Sequence, residues 1–234
     1  MLVKICGITS EADALLAVGL GADAVGFIFA PSPRQVSTRA VQQIVDRLPR
    51  DVLTVGVFRN ESPERVVQVV NTIGLRAAQL HGQETSAQTR WVAERVPVTI
   101  RAFSAGHPDI EKAAAWGVSA VMVDSASPGS GEVFDWRLAE GVVDPGRLIV
   151  SGGLDAENVG DAVAHLRPYG VDVCTGVEAE PGRKDPQRLR AFVVAARRAA
   201  REAGLDGGDD SETVDDGDAE VRSGTGPFDW QEET

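Results

Sequence analysis

Short apolar runs alternate along this chain with segments in which apolar residues recur at helical spacing. Val41, Ile44 and Leu48, for example, mark one of the helical segments. Eight strands that alternate with helices predict a single-domain α/β fold, the (β/α)8 TIM barrel, and a doubly wound open sheet is the alternative. The eight apolar runs are rich in β-branched residues and lie at 2–6, 23–29, 52–58, 76–80, 97–103, 118–123, 147–150 and 170–174.

Prolines and capping residues mark the expected helix starts. A proline in the first turn of a helix costs no hydrogen bond, because the N–H that it lacks would be unpaired there. After the sixth predicted strand, the segment FDWRLAEG leaves room only for a short helix. The prolines and N-caps at expected helix starts are Pro63, Pro108, Pro186, Ser62, Asp155 and Asp185.

The alternating pattern stops near Asp206. Residues 206–234 contain eleven acidic residues and one basic residue, which together carry −10 of the formal charge of −12. Such an acidic, Gly-rich segment with few aromatic residues cannot bury enough apolar surface to offset the entropy lost on ordering. We therefore expect a barrel domain at 1–205 and a disordered acidic tail at 206–234.

The composition narrows the class of protein. Apolar residues make up 43% of the chain, which is typical of a globular protein with a buried core. No stretch approaches the roughly 18 consecutive apolar residues of a membrane span, and no signal peptide is recognised. Two cysteines form no disulfide framework, so the cytoplasm is the expected compartment. The acidic balance, without a basic patch, argues against nucleic-acid binding, and no membrane association is expected.

The first predicted strand ends within the segment VKICGIT (3–9), at Cys6, where the strand is followed by a loop. In a parallel barrel this edge carries the chemistry. Strand alternation puts Lys4 on the same face as Cys6, and a nearby ammonium group lowers the pKa of a thiol. Such a thiol can act as a general base near neutral pH. The alternative interpretation is that Cys6 is a small buried hydrophobe.

Three further side chains follow strands or lie in the loops after them. Asp124 ends the sixth apolar run and is a candidate general acid if burial raises its pKa. Arg34, on a loop with two prolines just before it after the second strand, can hold a carboxylate through two parallel hydrogen bonds. His81 ends the fourth strand and either lines the site or serves as a structural hydrogen-bonding residue. A helix cap or turn residue, and a solvated surface arginine, are the alternatives for Asp124 and Arg34.

Glycines follow the seventh and eighth strands, in LIVSGGL (148–154) and VDVCTGVE (171–178). Backbone N–H groups in such loops can bind a phosphate, and barrels of this class build their phosphate site from these two loops. Ser127–Gly131 after Asp124 is predicted to be a flexible loop over the site. No group of His, Cys and Asp stands at metal-ligand spacing, so no metal is expected.

Together these segments resemble the phosphoribosylanthranilate isomerase family of tryptophan biosynthesis, whose members are (β/α)8 barrels. The resemblance covers residues 3–185 in order. It implies an Amadori rearrangement of N-(5-phosphoribosyl)anthranilate to 1-(2-carboxyphenylamino)-1-deoxyribulose 5-phosphate. The matching segments are VKICGIT, GADAVGFIFAPSPRQVS, VGVF, QLHGQE, SGEVFDW, SGGLDAENV and VDVCTGVEAEPGRKD.

The resemblance assigns roles to individual residues. It implies that Asp124 protonates the furanose ring oxygen and that Cys6 removes the proton from ribose C2. Arg34 is implied to hold the anthranilate carboxylate, and Asp172 aligns with an aspartate of the site. No cofactor is implied, because the hydrogen moves as a proton. The residues that align with phosphate-binding positions are Gly152, Gly153, Cys174, Thr175 and Gly176.

The sequence departs from the family pattern at two places. The phosphate loop of the family usually reads Ser-Ser-Gly, whereas here it reads Cys174-Thr175-Gly176, which removes one hydroxyl contact. The loop after Asp124 is also shorter than is usual in the family. The alternatives are a related sugar-phosphate aldose-ketose isomerase and a barrel that binds a phosphorylated ligand without catalysis. The expected assembly is a monomer or a homodimer.

Overall fold

The computed structural model describes residues 1–125, 134–141 and 144–205. In these ranges eight parallel strands alternate with helices along the chain. All eight predicted strands are confirmed. The barrel strands are β1 Leu2–Ile5, β2 Ala24–Ile28, β3 Leu53–Phe58, β4 Ala77–Leu80, β5 Val98–Ser104, β6 Ala120–Asp124, β7 Leu148–Val150 and β8 Gly170–Val173. Two short strands after them, β9 Glu178–Glu180 and β10 Arg183–Lys184, pair antiparallel.

The sheet closes on itself, since β1 pairs with β2 on one side and with β8 on the other. Lys4 stands opposite Asp172, and Ile5 stands opposite Val173. A doubly wound sheet would end in two unpaired edges. The closed order from β1 to β8 therefore confirms the (β/α)8 TIM barrel and excludes the open-sheet alternative.

Five α-helices and several short 3-10 helices connect the described barrel strands, and a sixth α-helix follows the last strand. The connection from β5 to β6 contains only the 3-10 helix Ala113–Trp116, and the expected short helix after β6 is the 3-10 helix Trp136–Ala139. Thr175–Val177 is a 3-10 helix directly after β8. The α-helices are α1 Glu11–Gly19, α2 Thr38–Val45, α3 Pro63–Ile73, α4 Ser86–Ala93, α5 Val159–Leu166 and α6 Pro186–Glu202.

Most of the predicted helix starts are confirmed, and two are wrong. Ser62 and Asp185 accept hydrogen bonds from the first-turn N–H groups of α3 and α6. No α-helix begins at Pro108, because the segment that follows it forms turns and a 3-10 helix. Asp155 accepts the N–H groups of Glu157 and of the residue after it, and so closes a turn before α5 rather than capping that helix.

Two apolar layers hold the barrel together. Side chains such as Val3 and Ile5 point outward from the strands and pack against the helices. A smaller cluster that includes Ala24, Val55 and Met122 fills the barrel interior. Because successive strand residues face opposite sides, the interior positions nearest the carboxyl ends of the strands are free to carry polar side chains.

The described part of the barrel domain ends just after α6. The amino group of Met1 donates to the carbonyl of Leu205 at 2.9 Å, which ties the first strand to the end of the last helix. The predictions about the 206–234 tail and the Ser127–Gly131 loop lie outside the described residues.

Candidate active site

One open cavity lies at the carboxyl ends of the barrel strands. Of the residues singled out in the sequence, Lys4 and Gly176 do not line it. Lys4 is fully buried beneath its floor, and Gly176 is half-buried against the backbone of Leu154. The predicted residues that do line the cavity are Cys6, Arg34, His81, Asp124, Gly152, Gly153, Asp172, Cys174 and Thr175.

The floor is built on a buried ion pair. The Lys4 Nζ lies 2.7 Å from Asp172 Oδ1, and the Ser151 hydroxyl donates to Asp172 Oδ2 at 3.1 Å. Burial acts to lower the pKa of Lys4, but the negative charges of the Asp172 carboxylate and the Cys6 thiolate together raise it above its usual value. Lys4 is therefore a fixed positive charge inside the barrel.

Cys6 sits at the end of β1, and its side chain lines the cavity although the residue is only 6% exposed. A hydrogen bond from the Cys174 thiol lowers the pKa of Cys6 to about 7; burial opposes this shift and Lys4 assists it. The sequence predicted the effect of Lys4 but missed the larger effect of Cys174. Gly26 leaves room for this arrangement, because a Cβ there would lie 2.9 Å from the Cys6 Sγ.

Asp124 ends β6 and lines the same cavity as Cys6. Its Oδ1 accepts the backbone N–H of Ser125 at 2.7 Å, and its Oδ2 lies 3.4 Å from Nε2 of His81. Burial is the main cause that raises the pKa of Asp124 to about 6, and the negative charge of Asp172 adds to it. A carboxyl group with this pKa can hold a proton and still release it near neutral pH.

His81 is a neutral neighbour of this carboxyl group. Burial lowers its pKa to about 4, so the ring carries no charge at neutral pH. The side-chain nitrogen of Gln79 lies 3.2 Å from His81 Nδ1 and donates to it in this amide orientation. The ring proton then stands on Nε2, which faces Asp124.

Arg34 lines the cavity, but two of its nitrogen atoms donate hydrogen bonds to another residue of the protein. Its Nε and Nη2 donate to Glu178 at 2.8 and 2.7 Å, so the predicted pair of parallel hydrogen bonds goes to a carboxylate of the protein itself. Glu178 Oε1 also accepts from Lys184 Nζ at 3.1 Å, and that amine donates to the carbonyl of Cys174. The end of the guanidinium formed by Nη1 and Nη2 is the edge that a ligand carboxylate can meet.

The loops after β7 and β8 approach each other closely because of their glycines. Gly152 and Gly153 have φ angles of 85° and 65°, and neither donates its backbone N–H to any described residue. A Cβ on Gly152 would lie 2.5 Å from the backbone nitrogen of Ser125. At Gly176 a Cβ would lie 2.1 Å from the carbonyl oxygen of Leu154. Two N–H groups of the β7 loop are thus left available to an anion.

Several residues that shape the site were missed in the sequence. Glu178 and Lys184 lie within the segment GVEAEPGRKD, but nothing local shows that Glu178 meets Arg34, 144 residues away, or that Lys184 joins this pair through Glu178. Gln79 was detectable, since strand alternation from His81 places it on the interior face of β4. Ser151 had no signal of its own beyond its position after β7.

Two kinds of feature are absent from the described residues, 1–125, 134–141 and 144–205. No three side chains of His, Cys, Asp or Glu there are grouped so that they could hold a metal ion. No helix in the same ranges has the length and the apolar character needed to cross a membrane.

Comparisons with known proteins agree with the geometry. The profile of the family described as "N-(5'phosphoribosyl)anthranilate (PRA) isomerase" matches residues 3–195. The N-(5'-phosphoribosyl)anthranilate isomerase of Desulforudis audaxviator is 45% identical over 205 residues, which cover 85% of this chain and 98% of that protein.

Solved structures with the same fold give the same result. The phosphoribosyl anthranilate isomerase of Thermus thermophilus superposes with a TM-score of 0.78 at 38% identity, and covers 85% of this chain and 99% of its own. A structure of such an isomerase in complex with reduced 1-(o-carboxyphenylamino)-1-deoxyribulose 5-phosphate has a TM-score of 0.75 at 40% identity, covering 85% of this chain and 100% of that one. The chain therefore belongs to the N-(5'-phosphoribosyl)anthranilate isomerase family.

Proposed function

We propose that this chain converts N-(5-phosphoribosyl)anthranilate to 1-(2-carboxyphenylamino)-1-deoxyribulose 5-phosphate, a step of tryptophan biosynthesis, by general acid and base catalysis. The substrate presents a phosphate, a carboxylate, one ring oxygen to protonate and one C–H bond to break. The observation that carries the proposal is that Cys6 and Asp124, with pKa values of about 7 and 6, line one cavity.

Asp124 is the proposed general acid. Its Oδ1 is occupied by the N–H of Ser125, so its proton belongs on Oδ2, the oxygen nearest to His81. Transfer of that proton to the furanose ring oxygen opens the ring to a Schiff base and leaves a carboxylate. The Nε2–H of His81 can then donate to this carboxylate, which makes His81 a positioning residue for the acid.

Cys6 is the proposed general base. Its thiolate takes the proton from C2 of the opened sugar, and the electrons of the C–H bond form the enolamine. Tautomerisation of the enolamine then gives the ketone. Lys4 supports this step, because its buried positive charge stabilises the thiolate. A positioned acid or base contributes about 10²- to 10⁴-fold to a rate.

The two ends of the substrate have matching partners in the cavity. The N–H groups of Gly152 and Gly153, which have no hydrogen-bond partner among the described residues, form the proposed phosphate site with the loop of Cys174 and Thr175. Arg34 is the proposed partner of the anthranilate carboxylate, which it would meet through the guanidinium edge that Glu178 leaves open. Cys174 replaces the serine of the family without removing the backbone donors of this loop.

The test is turnover, followed as the fall of anthranilate fluorescence while the substrate is consumed. We expect Cys6→Ala and Asp124→Asn each to lower kcat by about 10²- to 10⁴-fold. Both variants should still bind reduced 1-(o-carboxyphenylamino)-1-deoxyribulose 5-phosphate in calorimetry, which separates lost chemistry from lost folding or binding.

Asp46→Asn is a matched control for the acid. Asp46 is exposed at the C-terminal end of α2, on the face of the barrel opposite the cavity, so we expect unchanged turnover. Full activity of Cys6→Ala or of Asp124→Asn would refute the role of that residue. Tight binding of the analogue without turnover by the wild type would favour the alternative of a barrel that only binds its ligand.

The compartment and the assembly form a separate part of the proposal. Both cysteines of the chain are free, which supports a reducing compartment such as the cytoplasm. All the proposed site residues come from one chain, so the reaction needs no second subunit, and the protein would work as a monomer or as a homodimer.

A further inference from the structure

The only two cysteines of this chain meet in the candidate active site. Ile5 of β1 is paired with Val173 of β8, and the N–H of Cys6 donates to the carbonyl of Val173 at 2.8 Å. The next residues along the two strands, Cys6 and Cys174, therefore lie opposite each other. Since 168 residues separate them, this is a property of the closed barrel and not of local sequence.

The backbones that carry the two cysteines are close enough for a covalent bond between their side chains. Neighbouring strands lie about 4.8 Å apart, which is within the Cα separation that a disulfide spans. Gly7 makes room on one side, because a Cβ there would lie 2.8 Å from the Cys174 Sγ. Both cysteines line the open cavity, so a small oxidant can reach them.

The two thiols differ in reactivity. The nearby Cys174 and Lys4 hold the pKa of Cys6 at about 7, and the proximity of Cys6 and burial raise the pKa of Cys174. Near neutral pH, a large fraction of Cys6 is thus thiolate, whereas Cys174 remains the thiol beside it. A thiolate with a neighbouring resolving cysteine is the arrangement of redox-sensitive sites.

We propose that Cys6 and Cys174 form a reversible disulfide when the protein meets a hydroperoxide. The Cys6 thiolate attacks one oxygen of the peroxide, the O–O bond breaks, and the departing oxygen takes a proton to leave as water or an alcohol. Cys6 is then a sulfenic acid. The Cys174 sulfur attacks it, the S–O bond breaks, and hydroxide leaves with the Cys174 proton as water.

The atoms and electrons of this reaction balance. Two thiols give up two electrons and two protons, and one hydroperoxide is reduced to water and an alcohol, or to two waters. A dithiol reductant reverses the reaction by supplying the two electrons and two protons. Disulfides of this transient kind are the ones found in reducing compartments.

The consequence for activity rests on the proposed function, because a disulfide removes the thiolate that serves as the base. It would also pull the phosphate loop toward β1 through Cys174. Formation of the disulfide itself does not depend on the reaction that the chain catalyses. The test therefore counts thiols and not only turnover.

The experiment treats the full-length protein with a small excess of hydrogen peroxide and then labels it with N-ethylmaleimide under denaturing conditions. We expect the wild type to lose the mass of two hydrogen atoms and to accept no label. After reduction it should accept two labels. Peptide mapping should place the bond between Cys6 and Cys174, and turnover should fall and recover in proportion.

Cys174→Ser, which restores the usual serine of the family, is the matched variant. We expect its Cys6 to gain oxygen atoms and to reach the sulfinic acid, which a dithiol does not reverse. Wild-type protein that gains oxygen on Cys6 while Cys174 stays free, or that forms bonds between two chains, would overturn the proposal. If the disulfide forms while turnover persists, the role of Cys6 as base is wrong and the disulfide stands.

Discussion

Replacing Lys4 with methionine tests the electrostatic basis of the site. The Lys4 side chain is fully buried, and its ammonium group lies 2.7 Å from Asp172 Oδ1. Methionine has a similar unbranched stem and fills the same space without the charge. The Lys4→Met variant leaves Asp172 buried, at 4% exposure, with the hydroxyl of Ser151 as its remaining side-chain partner among the described residues.

The cost follows from that uncompensated charge. Removing one partner of a buried ion pair destabilises a protein by about 3–5 kcal/mol, a large part of the 5–15 kcal/mol that holds a typical domain folded. The same change removes a positive charge that lowers the pKa of Cys6, so that pKa should rise. At pH 7 less of the thiol is then ionised, and its alkylation slows.

Two assays measure these effects. Urea unfolding gives the loss of stability, and the rate of alkylation of Cys6 by iodoacetamide as a function of pH gives the shift of its pKa. Lys112→Met is the matched control, since Lys112 is 68% exposed and pairs with Asp109 on the surface. We expect it to cost at most about 1 kcal/mol.

A second variant separates the charge from the packing. Lys4→Met combined with Asp172→Leu removes both partners, and we expect it to recover much of the lost stability. The reasoning fails if Lys4→Met costs less than the surface control, or if the alkylation profile of Cys6 does not move toward higher pH.

Three further predictions concern pH, the phosphate loops and His81. If Cys6 is the base with a pKa of about 7 and Asp124 the acid with a pKa of about 6, kcat/KM should peak near pH 6.5. At that pH about 6% of the enzyme has Cys6 ionised and Asp124 protonated at the same time. The value of kcat/KM falls at lower pH as Cys6 gains a proton and at higher pH as Asp124 loses one; a flat profile contradicts this. Gly176→Ala should raise KM and cost about 1–3 kcal/mol in urea unfolding, because its Cβ meets a backbone carbonyl; an unchanged midpoint argues against it. His81→Phe should lower kcat about 10- to 100-fold with little change in KM, and His81→Asn should recover part of that loss; equal losses would exclude a donor role.

Local patterns in the sequence were sufficient to predict the barrel fold. Each strand was detectable as an apolar run, and alternation placed Lys4 and Cys6 on the interior face before any contact was known. Helix faces were harder to predict where the pattern is weak. In α1 the small residues Ala14 and Ala17 are buried, whereas Leu15, an obvious apolar position, is 42% exposed.

Contacts that depend on barrel closure could not be predicted from the sequence. Lys4 meets Asp172 only because β1 returns to β8, and Arg34 meets Glu178 only because the β2 and β8 loops share one rim. The largest influence on the pKa of Cys6 came from Cys174 for the same reason. A sequence shows which side chains point inward, but the partner across the barrel is set by its closure.

The central claim is that the Cys6 thiolate performs the reaction. The most direct measurement is turnover of N-(5-phosphoribosyl)anthranilate, followed by fluorescence, as Cys6 is progressively carbamidomethylated and the modification is quantified by peptide mapping. We predict that activity falls in proportion to modified Cys6 and that reduced 1-(o-carboxyphenylamino)-1-deoxyribulose 5-phosphate slows the modification. Undiminished turnover by protein whose Cys6 is fully modified would contradict the claim.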